Sequence, residues 1–297
     1  MAKRSLYGLR AIVTGASMGI GYALAVAGAR RGLRIVAMAR SGGLLETLAR
    51  EVGTFGGTIV PVEGDITSAE GRSAAIDAAV RYFGGLDILV NNAGIGASGH
   101  FAESDERTLR DIFEVNVFGT AEMTRLCLPE LARGQTPLIV NISSVLGRRG
   151  YPARSYYSAS KFAIQGLSDA IRAELVPYGV GVLVVNPGLT NTNFGHNMRQ
   201  RDARIPLDHS AGMTPQVVAE ATWNAAAAGK NEITLTLQGH LLVLVNRFCP
   251  WVFEFFARRK IRKLFSADRS ARRAAMGFGP PAMPGGDGND PMEIPPA

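Results

Sequence analysis

Two cysteines, Cys127 and Cys249, are all that the 297 residues contain, and each lies within an apolar segment. That scarcity excludes a disulfide framework and a cysteine zinc site, and no metal site is expected. Both thiols read as core side chains of a protein kept in a reducing compartment. An uninterrupted apolar run of spanning length is also missing. The best candidate, within residues 240–265, is broken by Asn246, Arg247, Pro250 and Glu254, short of the ~20 residues that a spanning helix needs. The opening MAKRSLYGLRAIVTG passes from a short basic start straight into an apolar strand. It has neither the continuous apolar stretch nor the small-residue cleavage site of an export signal, so a cytoplasmic protein is expected. No internal repeat is visible. Charge imbalance is confined to one segment: residues 247–273 hold nine basic side chains against Glu254 and Asp268, which accounts for the whole net charge of +7. With the remainder neutral and no nucleic-acid module recognisable, nucleic acid is not expected as a partner.

What is present is a regular alternation. Apolar runs rich in β-branched residues recur at 11–14, 35–39, 59–62, 88–91, 138–142 and 182–186, with a weaker one at 233–237. Stretches of helical period lie between them, among them 108–131 and 156–176. Near-continuous apolar strands separated by helices describe an α/β protein, a Rossmann-like, doubly wound parallel sheet of about seven strands covered on both faces. In such a sheet, ligands bind at the carboxyl ends of the strands. A helix over 214–228 opens with Thr214 as N-cap and Pro215 at its first position. The expected division is a catalytic domain at 1–238, an apolar and basic helical extension at 239–276, and a disordered tail rich in proline and glycine at 277–297.

The chemistry-bearing residues follow the strands. VTGASMGIG, after the first strand, spaces its glycines G-x-x-x-G-x-G. Gly15 permits a tight turn, and Gly19 and Gly21 would let backbone N–H groups and a helix N-terminus approach a pyrophosphate. GDIT with Asp65, NNAG at 91–94, NISS ending at Ser144, YSASK from Tyr157 to Lys161 and NPGLTNT at 186–192 come after later strands. Tyr157 and Lys161, four apart on a helix, share a face. An ammonium about 4 Å from the phenol, at an effective dielectric near 20, favours the phenolate by up to about 4 kcal/mol, or roughly three pKa units before desolvation is subtracted. The expectation is therefore a tyrosine of lowered pKa, usable as general acid or base.

In this combination and order, over residues 8–237, the sequence resembles the short-chain dehydrogenase/reductase family, whose glycine motif is T-G-x-x-x-G-x-G. The resemblance implies a catalytic tetrad of Asn116, Ser144, Tyr157 and Lys161. Ser144 would hydrogen-bond the substrate oxygen and Asn116 would hold a water in the proton relay. Lys161 would also bind the nicotinamide ribose. It further implies a cofactor cradle of Gly15, Ser17, Met18, Gly19, Ile20 and Gly21. Asp65 and Ile66 would meet the adenine, Asn92, Ala93 and Gly94 would line the cofactor, and Pro187, Gly188, Thr190 and Thr192 would border the nicotinamide. After the second strand, Ala39 stands where an NAD-binding acid is expected, followed by Arg40. A neutral residue followed by arginine suits a ribose 2′-phosphate, so NADP(H) is expected over NAD(H).

The resemblance also implies that residues 189–213 lid the substrate pocket. Phe194, His196, Met198, Arg199, Arg201 and Arg204 there name no substrate, and His196 reads as a surface loop residue. In residues 240–265, Trp251, Phe253, Phe255 and Phe256 could enter a headgroup boundary while the cations from Arg258 to Lys263 meet anionic lipid, giving a peripheral membrane protein. A helix closing the pocket, or a dimer interface, is the other reading of this segment. Both favour an apolar small-molecule substrate, steroid-, retinoid- or lipid-like, with its carbonyl and alcohol forms interconverted. Two alternatives stand beside this: a reductase of 3-oxoacyl thioesters on an acidic acyl carrier protein, and a non-enzymatic NADP-binding scaffold docked on membranes. The resemblance implies a homodimer or homotetramer built through the long helices 108–131 and 156–176.

Overall fold

The computed structural model describes residues 3–192, 194–195, 198–199 and 212–264. Seven parallel strands form one sheet: β1 (Arg10–Thr14), β2 (Arg34–Ala39), β3 (Thr58–Glu63), β4 (Ile88–Asn91), β5 (Leu138–Ile142), β6 (Gly181–Asn186) and β7 (Glu232–Thr234), in the order β3-β2-β1-β4-β5-β6-β7. Helices α1 (Gly19–Arg30), α2 (Gly42–Gly53) and α3 (Ala69–Phe83) link the first four strands. Then follow α4 (Glu106–Phe113), α5 (Thr120–Ala132), α6 (Ser155–Glu174) and α7 (Pro215–Ala227), and after β7 come α8 (Leu237–Phe248) and α9 (Pro250–Leu264). The chain divides after Pro250 into two units, the second beginning at Trp251.

Strand residues are apolar on both faces because each face has its own core. Val13 and Ile35 pack with Leu24, Leu45 and Trp223, whereas Ile12 and Val36 pack with Met123, Cys127 and Leu131 on the other side. Each fully buried side chain of this size is worth about 1.5–3 kcal/mol. Trp223 satisfies its indole N–H on the Leu24 carbonyl at 2.9 Å. Because β1 is flanked by β2 and β4, the connections leave it in opposite directions, which opens a crevice at the carboxyl ends of β1 and β4.

Three elements and one cysteine depart from the sequence-based expectation. The stretch 108–131 is not one helix: α4 and α5 are joined by a π-helical segment, Glu114–Gly119, that contains Asn116. The stretch 156–176 ends in a 3-10 turn, Val176–Tyr178, with Gly179 at φ 67°. The last strand stops at Thr234, because Thr236 instead caps α8, accepting from the Gly239 N–H at 2.9 Å. Cys127 is fully buried, but Cys249 is only partly so: it sits at the break between α8 and α9, where Pro250 supplies no N–H to continue the helix. The Thr214 cap on α7 is as expected, accepting from Val217 at 3.4 Å. The segment 277–297 lies outside the described residues. No single helix among the described residues is long and apolar enough to cross a membrane.

Candidate active site

The site is built at the carboxyl ends of β1, β4, β5 and β6. Gly15 turns the chain at φ 65°, and a Cβ there would lie 2.8 Å from Ala93 Cα. A Cβ on Gly21 would overlap the Gly15 carbonyl and the Asn92 amide, so the packing of α1 on its own turn also requires glycine there. Gly19, at φ 59°, faces Thr192, whose Cγ2 would be 3.3 Å from its Cβ. Thr14 locks the cradle from below. Its Oγ1 accepts from the Asn92 and Ala93 N–H groups at 3.0 Å each, while Asn92 Nδ2 donates to the Thr14 and Gly15 carbonyls at 2.9 and 3.1 Å. Thr14 went unassigned from sequence, although it is the threonine that opens the glycine motif.

This cradle fits a dinucleotide. Ser68, Asp105, Thr214 and Thr236 cap α3, α4, α7 and α8 with side-chain oxygens. Met18 gives α1 no such bond, nor does Ser41 give one to α2, so the first-turn N–H groups of both helices remain available to an anion. Ser17 and Ile20 are half-buried along the same turn. Arg40, exposed directly after β2, has no carboxylate partner among the described residues. The Glu63 carboxylate lies over Gly42, two residues on, and brings a negative charge to that edge. Asp65 uses Oδ1 for the Thr67 N–H and hydroxyl, at 2.9 and 2.8 Å, leaving its second oxygen open beside the buried Ile66.

Ser144, Tyr157, Lys161 and Asn116 converge next to the cradle. Ser144 accepts from the Leu146 N–H at 3.1 Å and lies close enough to the Tyr157 phenol to favour its ionised form. Lys161 is 6% exposed, with Nζ donating to the Ile142 carbonyl at 2.9 Å and lying 5.8 Å from the Tyr157 ring centroid. Asn116 grips the backbone of Ile95, accepting from its N–H at 2.8 Å and donating to its carbonyl at 2.9 Å. Its amide also donates to Ser160 at 3.0 Å, a contact that sequence reasoning did not find. A Cβ on Gly94 would approach Asn116 Oδ1 to 3.2 Å and Lys161 Nζ to 3.7 Å, so glycine lets these two side chains flank the backbone there.

The electrostatics reverse the sequence-based expectation. Burial pushes the Tyr157 phenol up to about 12, and the nearby Ser144 hydroxyl opposes only part of that. Burial alone brings Lys161 from 10.5 down to about 8. Desolvation thus outweighs the attraction between ammonium and phenolate in the cofactor-free protein.

The remaining wall comes from the segment after β6. The Pro187 carbonyl accepts from the Val145 N–H at 3.0 Å, and Gly188 abuts Thr236. Thr190 donates to the Gly188 carbonyl at 3.1 Å and bridges to Met213, while Thr192 accepts from the Phe194 N–H at 3.2 Å. The Phe194 ring is 5.6 Å from that of Tyr157. Arg199 pairs with Asp111 at 3.2 Å. His196, Arg201 and Arg204 lie outside the described residues. Helix α8 packs beside the site: Asn246 accepts from Arg149 at 2.8 Å and donates to the Arg148 carbonyl at 3.0 Å.

Comparison with known proteins agrees with this architecture. The sequence profile of the short chain dehydrogenase family matches residues 10–203. A ketoacyl reductase, HetN of Nostoc sp., is 35% identical over 83% of this chain and 87% of its own. A short chain dehydrogenase from Burkholderia cenocepacia, solved in complex with NADP, has a TM-score of 0.73 at 28% identity, covering 86% of this chain and 99% of its own. The 3-ketoacyl-(acyl-carrier-protein) reductase of Brucella melitensis, complexed with NADH, has a TM-score of 0.69 at 28% identity, covering 78% and 98%. The chain therefore belongs to the short-chain dehydrogenase/reductase family of oxidoreductases, which act on carbonyl and alcohol groups with a nicotinamide cofactor.

Proposed function

We propose that this protein is an NADP(H)-dependent oxidoreductase that interconverts a carbonyl and an alcohol on an apolar small molecule, with Tyr157 as general acid and base. The observation that carries the reading is the convergence on the buried Tyr157 of Lys161, whose Nζ lies 5.8 Å from its ring, and of Ser144, with Lys161 and Asn116 both flanking Gly94. The nicotinamide supplies the hydride. Ser144 orients the substrate oxygen, and the Tyr157 hydroxyl donates its proton to that oxygen in reduction or accepts one in oxidation. Burial keeps Tyr157 protonated near neutrality, the form that reduction requires. Lys161 holds the nicotinamide ribose, and Asn116 keeps the segment after β4 at the right distance. Gly15, Ser17, Met18, Gly19 and Ile20 cradle the pyrophosphate, Gly21 completes the turn, and Asp65 and Ile66 receive the adenine. Asn92, Ala93, Gly94, Pro187, Gly188, Thr190 and Thr192 line the remainder. Arg40, without a carboxylate partner, receives the 2′-phosphate and sets the preference for NADP(H).

A 3-oxoacyl thioester is the second reading for the substrate, favoured by the likeness to two ketoacyl reductases. Residues 1–238 carry the catalytic domain and 239–276 the extension, which meets an anionic bilayer surface. Trp251, Phe255 and Phe256 of α9 are 60–69% exposed, and basic residues follow them. Exposed Phe118 and Phe162, on the π segment and α6, favour self-association through those helices.

The test is NADPH oxidation against carbonyl compounds graded from short ketones to steroids, retinal and 3-oxoacyl thioesters, with NADH in parallel. Turnover of the large apolar compounds is expected, and Tyr157→Phe should lose at least about a hundredfold in kcat while binding NADPH normally. A variant that retained most of its activity would show the acid to be misassigned.

A further inference from the structure

Arg154 is a buried cation with half of its hydrogen-bonding edge unused. The residue is 5% exposed. Its Nη1 donates to Ser98 Oγ and, at 2.9 Å, to the Ala153 carbonyl. Nε is buried with no acceptor, and neither it nor Nη2 meets a carboxylate among the described residues. A guanidinium stays charged at any ordinary pH, so it cannot relieve its burial by losing a proton. Arg10 shows how this chain meets that demand elsewhere: Asp87 takes its Nε at 2.8 Å and its Nη2 at 2.7 Å, side-on. Arg154 presents the same Nε and Nη2 edge with no carboxylate on it among the described residues, the Tyr151 phenol being the one group that favours its charge.

Arg154 stands close to Tyr157 and to the wall beside it. Arg154 precedes α6 and stands three residues before Tyr157, about one helical turn away. Its partner Ser98 lies in the segment after β4, where Gly96 is covered by Phe194 and Met198: a Cβ on Gly96 would come within 2.7 Å of the Phe194 ring. The same Phe194 ring packs against Tyr157. The backbone contributes a second observation. Ala153 has φ 63°, a left-handed conformation unfavourable for a residue with a Cβ, and its carbonyl is held by the Gly99 N–H at 3.2 Å as well as by Arg154. Strain of this kind persists where the surrounding contacts impose it, and here it fixes the guanidinium against Ser98.

We propose that Arg154 is a specificity residue whose unused Nε and Nη2 edge binds, side-on and with two hydrogen bonds, a carboxylate carried by the substrate about one helical turn from the carbonyl that Tyr157 serves. The planar fork matches a carboxylate in geometry and charge. The inference rests on the assignment of Tyr157 above and narrows the substrate class from neutral apolar compounds to apolar oxo or hydroxy acids.

The probe is decanoate, with decanol as the uncharged compound of equal chain length, each titrated calorimetrically into the full chain at neutral pH. Wild type should bind decanoate at least about tenfold more tightly than decanol, as expected of a charge-assisted bidentate pair. Arg154→Met should lose that preference while keeping its affinity for decanol and for NADPH. Arg154→Lys should recover part of it, because a point charge lacks the fork. Wild type that does not favour decanoate overturns the proposal whatever the variants do, and so does an Arg154→Met variant that keeps the preference. Because the readout is binding, a Tyr157→Phe variant should retain it, so a failure of the catalytic assignment remains distinguishable.

Discussion

Replacing Lys161 by methionine should make the cofactor-free protein more stable at neutral pH while abolishing turnover. The side chain is 6% exposed, and burial lowers its pKa from 10.5 to about 8. The folded state therefore binds fewer protons than the unfolded chain between those two values, and stability rises with pH across that window. Below about pH 8 the full cost is present, about 3 kcal/mol at 1.36 kcal/mol per unit. Tyr157 works in the opposite sense but in a higher range: its pKa rises from 10.0 to about 12, so stability falls only as pH passes 10. Between pH 7 and 9.5 the lysine acts without it and should add about 2 kcal/mol. The substitution forfeits one hydrogen bond, from Nζ to the Ile142 carbonyl at 2.9 Å, worth about 1 kcal/mol. Urea unfolding of wild type and Lys161→Met at the two pH values isolates the effect, because every other titrating group is common to both. The variant should be more stable by about 1–2 kcal/mol at pH 7, and that margin should vanish by pH 9.5. Parallel pH profiles for the two proteins would refute the reasoning, since they would mean that Lys161 carries no desolvation cost in the fold.

Two further predictions concern the edges of the site. Arg40→Ser should lower the ratio of kcat/KM for NADPH to that for NADH by at least about tenfold, the effect of losing a charged hydrogen bond to phosphate; an unchanged ratio would remove Arg40 from cofactor selection. Reversing Arg258, Arg259 and Arg262 to glutamate should abolish sedimentation with phosphatidylserine vesicles, at about 1 kcal/mol for each positive charge removed, and leave turnover of a soluble substrate intact. Wild type that fails to sediment, or a variant that sediments equally well, would leave α9 without a bilayer partner.

The strands were legible because burial on both faces demands unbroken β-branched runs, and 88–91 and 138–142 fall where the sequence places them. Their carboxyl ends then located the polar motifs with no knowledge of packing. What stayed hidden depends on neighbours distant along the chain. The glycine spacing was visible, but Gly21 owes its identity to the Gly15 carbonyl and the Asn92 amide, and only the folded turn shows that contact. The π segment around Asn116 was invisible because a single π turn shifts the helical register too briefly to alter the apolar pattern, and Asn116 within it reaches both the N–H and the carbonyl of Ile95, a contact distant along the chain.

The largest miss, the direction of the Tyr157 shift, has the same origin. A spacing of four residues fixes that Tyr157 and Lys161 share a helix face, but not how much water the rest of the protein leaves around them. The attraction between them acts only once both are charged, whereas desolvation opposes each charge separately, so enclosing the pair drives the phenol up and the amine down. In the resulting site the lysine, at about 8, lies nearer neutrality than the tyrosine, at about 12. In the proposed reaction Tyr157 would therefore keep its proton until an alkoxide formed beside it, and of the two groups Lys161 has the charge that titrates nearer neutrality.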